Sequence, residues 1–112
     1  MEISYTSKQM QKLCTSAKEM RGKLGPRMAE VLQRQLAAIE AASNLEELWT
    51  VPQTRCHEMK GDRKGQISID LVHPRRLYIQ PDHDPVPEKE DGGLDRPAVT
   101  RVLIVDIDDP HR

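Results

Sequence analysis

The sequence predicts an α+β fold, a two-helix antiparallel hairpin packed on one face of a small, mostly antiparallel sheet. Three observations predict it. Two amphipathic helical stripes are joined by so short a link around Gly25 that they must lie antiparallel against something flat. The stretch Thr54–Gln80 reads as three short strands separated by turns. The closing run Val102-Leu103-Ile104-Val105 is almost unbroken apolar, as expected of a strand buried on both faces and so interior to a sheet. A helical turn is expected before the second strand.

Glu2 to Tyr5 is a short extended start, with Ile3 and Tyr5 on one face. Ser7 suits a helix N-cap, and Met10, Leu13, Cys14, Ala17 and Met20 recur at three- and four-residue spacing as one helical stripe. Gly22 and Gly25 weaken its end, and Pro26 fits the first turn of the next helix. That helix is apolar at Met28, Val31, Leu32, Leu36, Ile39 and Ala42, with Gln35 as its one polar interruption. Ser43 and Glu46 have capping-box spacing and open a further turn through Trp49, which Val51-Pro52 ends. Arg55–Met59 is read as the first of the three strands, and Gly61–Gly65 turns the chain. Gln66–Leu71 alternates, with Ile67, Ile69 and Leu71 opposite Gln66, Ser68 and Asp70. After the His73-Pro74 turn, Arg75–Gln80 places Leu77 and Ile79 opposite Arg76 and Tyr78. The Pro-, Gly- and acid-rich segment 81–98 has no apolar period and is expected to be a mobile connection.

At 112 residues the chain is a single domain, 1–112, with an acidic loop at 81–98. Without Phe and with one Trp, its core must come from Leu, Ile, Val and Met. A net charge of −1 conceals segregation. Thr54–Arg76 carries six Lys or Arg against three acids, whereas Pro81–Ala98 carries six acids against two bases. A sheet with basic side chains on and beside it is suited to a phosphate backbone. Cys14 and Cys56 share no short-range motif and read as reduced, buried thiols of a cytoplasmic protein. No apolar run approaches the ~18 residues of a membrane span, and the first ten residues lack the pattern of a signal peptide. Asp82-His83-Asp84 lacks ligands at zinc spacing, so no metal is expected there.

The segment from Arg55 to Ile69, RCHEMKGDRKGQISI, resembles the R-x-H-x-L-K-G-D-x-x-G-x-x-S-(V/I) segment of the RelE/ParE superfamily of toxins from type II toxin–antitoxin systems, nearest the HigB-like plasmid maintenance killer proteins. Arg76-Leu77-Tyr78-Ile79 and the helical segment Arg34–Ala42 are similar to that family too. Family members often end in Asp-Tyr-His, where this chain has Asp109-Pro110-His111. The resemblance implies a RelE/ParE-like fold and a toxin neutralised by a cognate helix-turn-helix antitoxin (HigA-like), which alone would contact operator DNA. It also implies translation inhibition by metal-independent, ribosome-dependent endoribonuclease cleavage of mRNA, with no cofactor and no membrane partner. A ParE-like toxin that inhibits a protein target such as gyrase, and a weakened homologue that mainly binds its antitoxin, stay open as alternatives.

The resemblance assigns His57 and His111 to proton transfer, Lys60 and Arg76 to charge stabilisation at the phosphate, and Asp109 to orienting His111. An imidazole can exchange protons near neutrality, and fixed cations stabilise a charged transition state. Arg55, Arg63, Lys64 and Arg75 would position RNA or the ribosome. The plainer readings are an edge histidine at 57, a frayed terminal residue at 111, a surface acid at 109 and a solvated basic turn at 63–64.

Overall fold

The computed structural model describes residues 1–108. It is α+β, with four helices and a five-stranded, mostly antiparallel sheet among those residues. The strands are β1 (Glu2–Tyr5), β2 (His57–Glu58), β3 (Ile67–Asp70), β4 (Arg76–Pro81) and β5 (Arg101–Asp108). The helices are α1 (Lys8–Thr15), α2 (Ala17–Leu24), α3 (Pro26–Ala41) and α4 (Leu45–Trp49). Strand order is β1-β5-β4-β3-β2, and only the β1–β5 pair is parallel. The closing strand is therefore interior, as its apolar run predicts. Among the described residues no helix is long and apolar enough to cross a membrane.

The expected first helix is two helices. Ser16 ends α1, its N–H donating to the Lys12 carbonyl, and its hydroxyl accepts from the Glu19 N–H at 3.3 Å to begin α2. A serine that offers its own acceptor to the backbone competes with helix continuation. The apolar period runs through the break, which is why it is invisible in the pattern. The α2–α3 junction falls at Gly25, whose φ of 84° favours glycine, and Pro26 starts α3. The cap of α4 is Asn44 rather than Ser43, its Oδ1 accepting from the Glu47 N–H at 2.9 Å.

One face of the sheet meets the helices. Met20, Leu32, Leu36 and Ile39 pack with Ile67, Ile69, Leu77, Ile79, Val102, Ile104 and Ile107 in one cluster. Each large apolar side chain removed from water in this way contributes about 1.5–3 kcal/mol. Ile104 and Ile107 both reach this cluster although they are three residues apart, an odd spacing that a regular strand would send to opposite faces. The register shift opposite Tyr78 and Ile79 resolves it: Ile104 pairs with Ile79, but Asp106 pairs with Tyr78 and Ile107 with Leu77. The apolar run is thus not buried on both faces, since Leu103 and Val105 are only half-buried.

Gln35, the polar interruption of α3, is buried and donates its Nε2 to the carbonyls of Gln53 (2.9 Å) and Asp70 (2.7 Å). It fastens the helix to the end of β3. The segment 81–98 carries hydrogen bonds of its own, including Lys89 N–H to the Gly93 carbonyl at 2.8 Å and Asp95 N–H to the Pro87 carbonyl at 3.0 Å. It is moored to α4 through Arg96, which donates to Glu46 at 3.0 and 3.2 Å and lies 4.3 Å from the Trp49 ring centroid.

Candidate functional site

The face of the sheet turned away from the helices carries the polar residues, and cross-strand register arranges them in two rows. His57, Ser68, Tyr78 and Asp106 are successive partners across β2, β3, β4 and β5. Asp70, Arg76 and Asp108 form the second row across β3, β4 and β5. Directly paired residues share a face, so these side chains project from one surface. Asp106 joins it because of the register shift in β5.

Arg63 comes to this surface from the short 3-10 turn Gly61–Arg63 between β2 and β3. Its guanidinium lies over the Tyr78 ring, 3.7 Å from the centroid, and donates to Gln66 Oε1 at 2.9 Å and Asp106 Oδ2 at 3.0 Å. Asp108 is 3.7 Å from the same Nη2. Arg76 donates to the Ser68 hydroxyl at 3.4 Å, and its Nε is 3.8 Å from Asp70 Oδ1. Arg55 approaches the other Asp70 oxygen at 3.3 Å. Ser68 and Tyr78 are fully buried on what would otherwise be an open face, and the Tyr78 hydroxyl has no hydrogen-bond partner among the described residues.

Arg55 is the one described non-glycine residue with a positive φ, at 46°. That conformation is incompatible with a strand, so the expected strand Arg55–Met59 is reduced to His57–Glu58, although the Met59 N–H still bonds to the Gln66 carbonyl at 2.9 Å. It also turns the Arg55 side chain toward Asp70.

The residues expected to act together are only partly assembled. Arg55 and Arg76 meet at Asp70, and Arg63 meets Asp106 and Asp108. His57 shares the face but is exposed at the sheet edge, with no hydrogen bond or ion pair to the cluster among the described residues. Lys60 and Lys64 are exposed and line a separate groove of about 390 Å³ between the β2–β3 connection and the segment 81–98, with Met59, Val86, Glu88 and Leu94. Arg75 donates to the Ile107 carbonyl at 3.5 Å. Asp109 and His111 lie outside the described residues. His83 accepts from the Thr100 N–H at 3.1 Å.

The acids that neutralise the arginines come from the sheet. Among the described residues no ion pair joins the acids of segment 81–98 to Arg55, Arg63 or Arg76. Strand alternation places Ser68, Asp70 and Tyr78 on the polar side, which is the signal that finds them. Asp106 had no such signal, because the register shift that turns it outward leaves no trace in the apolar pattern.

Both cysteines are free and buried within the core. Burial pushes the Cys14 thiol up to about 11. It pushes Cys56 up as well, partly countered by the Thr54 hydroxyl at 3.4 Å. Neutral thiols of this kind are poor nucleophiles, so neither belongs to the candidate site.

No family model matches the chain, and no curated protein matches it in sequence.

Proposed function

We propose that the chain is the toxin of a type II toxin–antitoxin pair, of the RelE/ParE superfamily and HigB-like, and that it inhibits translation by cutting mRNA on the ribosome. The observation that carries this reading is the open sheet face. Helices cover one side, and the other gathers Arg55, Arg63 and Arg76 beside His57. These residues lie in the two segments, Arg55–Ile69 and Arg76–Ile79, in which the sequence resembles that superfamily. The RelE/ParE-like arrangement of helices and sheet and a helix-turn-helix antitoxin as partner are part of the same proposal.

In the proposed reaction the RNA 2′-hydroxyl loses its proton to a base and attacks the adjacent phosphorus. The 5′-oxygen leaves with a proton from an acid, and a 2′,3′-cyclic phosphate remains. Arg76 is suited to the developing phosphate charge, since Ser68 and Asp70 hold its guanidinium on the face. His57 is suited to the proton transfer, exposed at the edge where RNA can reach it. Lys60 belongs to this site only if RNA spans the β2–β3 connection from the face into the adjoining groove.

A second reading has a specific observation in its favour. All three arginines of the face are already paired with carboxylates. A ParE-like toxin directed at a protein such as gyrase, or a weakened toxin that mainly binds its antitoxin, would need no free cation there.

The test is expression in growing cells with primer extension on mRNA. Wild type should arrest growth and leave cuts on translated messages. His57→Ala and Arg76→Ala should each lower cleavage by about 10²-fold, the scale of one acid–base or electrostatic group. Arrest without cuts would favour the ParE-like reading. Neither arrest nor cuts, with binding to a helix-turn-helix partner retained, would favour the weakened toxin.

A further inference from the structure

We infer that Arg63 is a latch over a base-stacking platform: a phosphate of single-stranded RNA draws the guanidinium off Asp106 and Asp108, and the Tyr78 ring then takes a base against its face. The inference rests on the RNA-binding reading above and names how that face engages its ligand.

Four observations support it. The Arg63 backbone lies in the turn between β2 and β3, while its guanidinium reaches over the sheet to β5, so side-chain rotation alone can withdraw it. It stacks on Tyr78 at 3.7 Å from the centroid, the kind of contact a planar base makes with an aromatic ring. Its anchors are the Gln66 amide oxygen and two carboxylates, Asp106 42% and Asp108 28% exposed, so a phosphate that draws it away breaks the Gln66 bond and replaces one charge-assisted pair by another. Finally, the Tyr78 hydroxyl is buried without a partner among the described residues. Phenylalanine would fill the same space without that loss, so packing does not account for the hydroxyl. A base stacked in place of Arg63 brings donors and acceptors to it.

The chain has only two tyrosines, Tyr5 and Tyr78, so fluorotyrosine labelling gives one site resonance and one internal control. The probe is a short single-stranded RNA of mixed sequence, with affinity measured by anisotropy at low salt. The Tyr78 fluorine line should shift as RNA is added while the Tyr5 line stays in place. Asp106→Asn should raise affinity roughly two- to fivefold, the scale of one surface ion pair. Tyr78→Leu should weaken binding roughly tenfold, while Tyr78→Phe should weaken it less, because the ring still stacks and only the hydroxyl's bond to the base is lost. RNA binding with an unmoved Tyr78 line, or with no gain in Asp106→Asn, overturns the latch and leaves the RNA-binding reading intact. Failure of both wild type and Asp106→Asn to bind RNA overturns that reading and the latch with it.

Discussion

The two faces of the sheet are built from the same alternating strands and held by different physics. On the helix face, Ile67, Ile69, Leu77, Ile79 and Ile104 are fully buried and bound by many small contacts, none of them directional. On the opposite face, Ser68 and Tyr78 are equally buried, but beneath a lattice of point contacts in which Arg63, Arg76 and Arg55 each meet named carboxylate oxygens. The first face should resist small chemical changes and fail when volume is removed. The second should respond to a single charge in what it binds more than in how stable it is. Nature of contact, rather than depth of burial, separates the two faces.

The sharpest break in this comparison is a cavity. Leu32 and Ile39 have no exposed surface, and each lies in the shared cluster. Leu32→Ala and Ile39→Ala should each destabilise by about 2–5 kcal/mol in urea titration, whereas Asp106→Asn should stay within about 1 kcal/mol. Equal losses would mean that the two faces contribute alike.

Gln35 tests the join between the faces. Its amide holds the Asp70 carbonyl, while the Asp70 carboxylate holds Arg55 and Arg76. One residue therefore links the α3 side to the charged face. Gln35→Leu has the right size but strands two carbonyls, so a loss of about 1–3 kcal/mol is expected by the same titration. A neutral result would mean that water satisfies both acceptors from the adjoining cleft.

How much of this was legible in the sequence follows the same division. The helix face was read correctly where period alone decides, as at Ile67, Ile69, Leu77 and Ile79. The interior position of β5 also followed from its composition. Features set by one hydrogen bond or one backbone angle leave no trace in the period: the Ser16 break, the cap at Asn44 rather than Ser43, and the shortening of β2 by the left-handed Arg55. On the open face the alternation placed Ser68, Asp70, Arg76 and Tyr78 correctly, and the basic residues were visible as a cluster in the chain. Their pairing with Asp106 and Asp108 was not visible, because it depends on the β5 register shift and on a contact forty-three residues apart in sequence.

The helix face also has a titration of its own. Burial raises Cys14 from 9.0 to about 11. In the unfolded chain the thiol ionises near its ordinary value, so above about pH 9 the unfolded state releases a proton that the folded state keeps. Stability is therefore complete below that pH and declines as pH rises toward 11, by at most about 3 kcal/mol for this group. Burial also raises Tyr5, which adds a loss of the same sign at still higher pH. Denaturation followed across this window should show the decline, and Cys14→Ala should flatten it even if its stability at neutral pH is lower. A wild-type curve no steeper than that of the variant would mean that the thiol ionises in the fold as easily as in water.

The smallest effect separates the faces most cleanly, because stability and binding should move apart. Arg55 holds a left-handed backbone with φ of 46°, which costs a non-glycine residue about 1–2 kcal/mol. Its ion pair with Asp70 is 70% exposed on the arginine side and returns at most about 1 kcal/mol. Arg55→Gly removes the strain and the pair together and adds about 0.5–1 kcal/mol of unfolded-chain entropy cost, so its net change should be close to zero. Arg55→Ala loses the pair and keeps the strain, which should leave it about 1 kcal/mol less stable than the glycine variant. If the left-handed turn exists to present a guanidinium to RNA, both variants should lose RNA affinity equally despite that difference. A glycine variant that binds as wild type does would make Arg55 a structural turn residue and leave the phosphate contacts to Arg63 and Arg76.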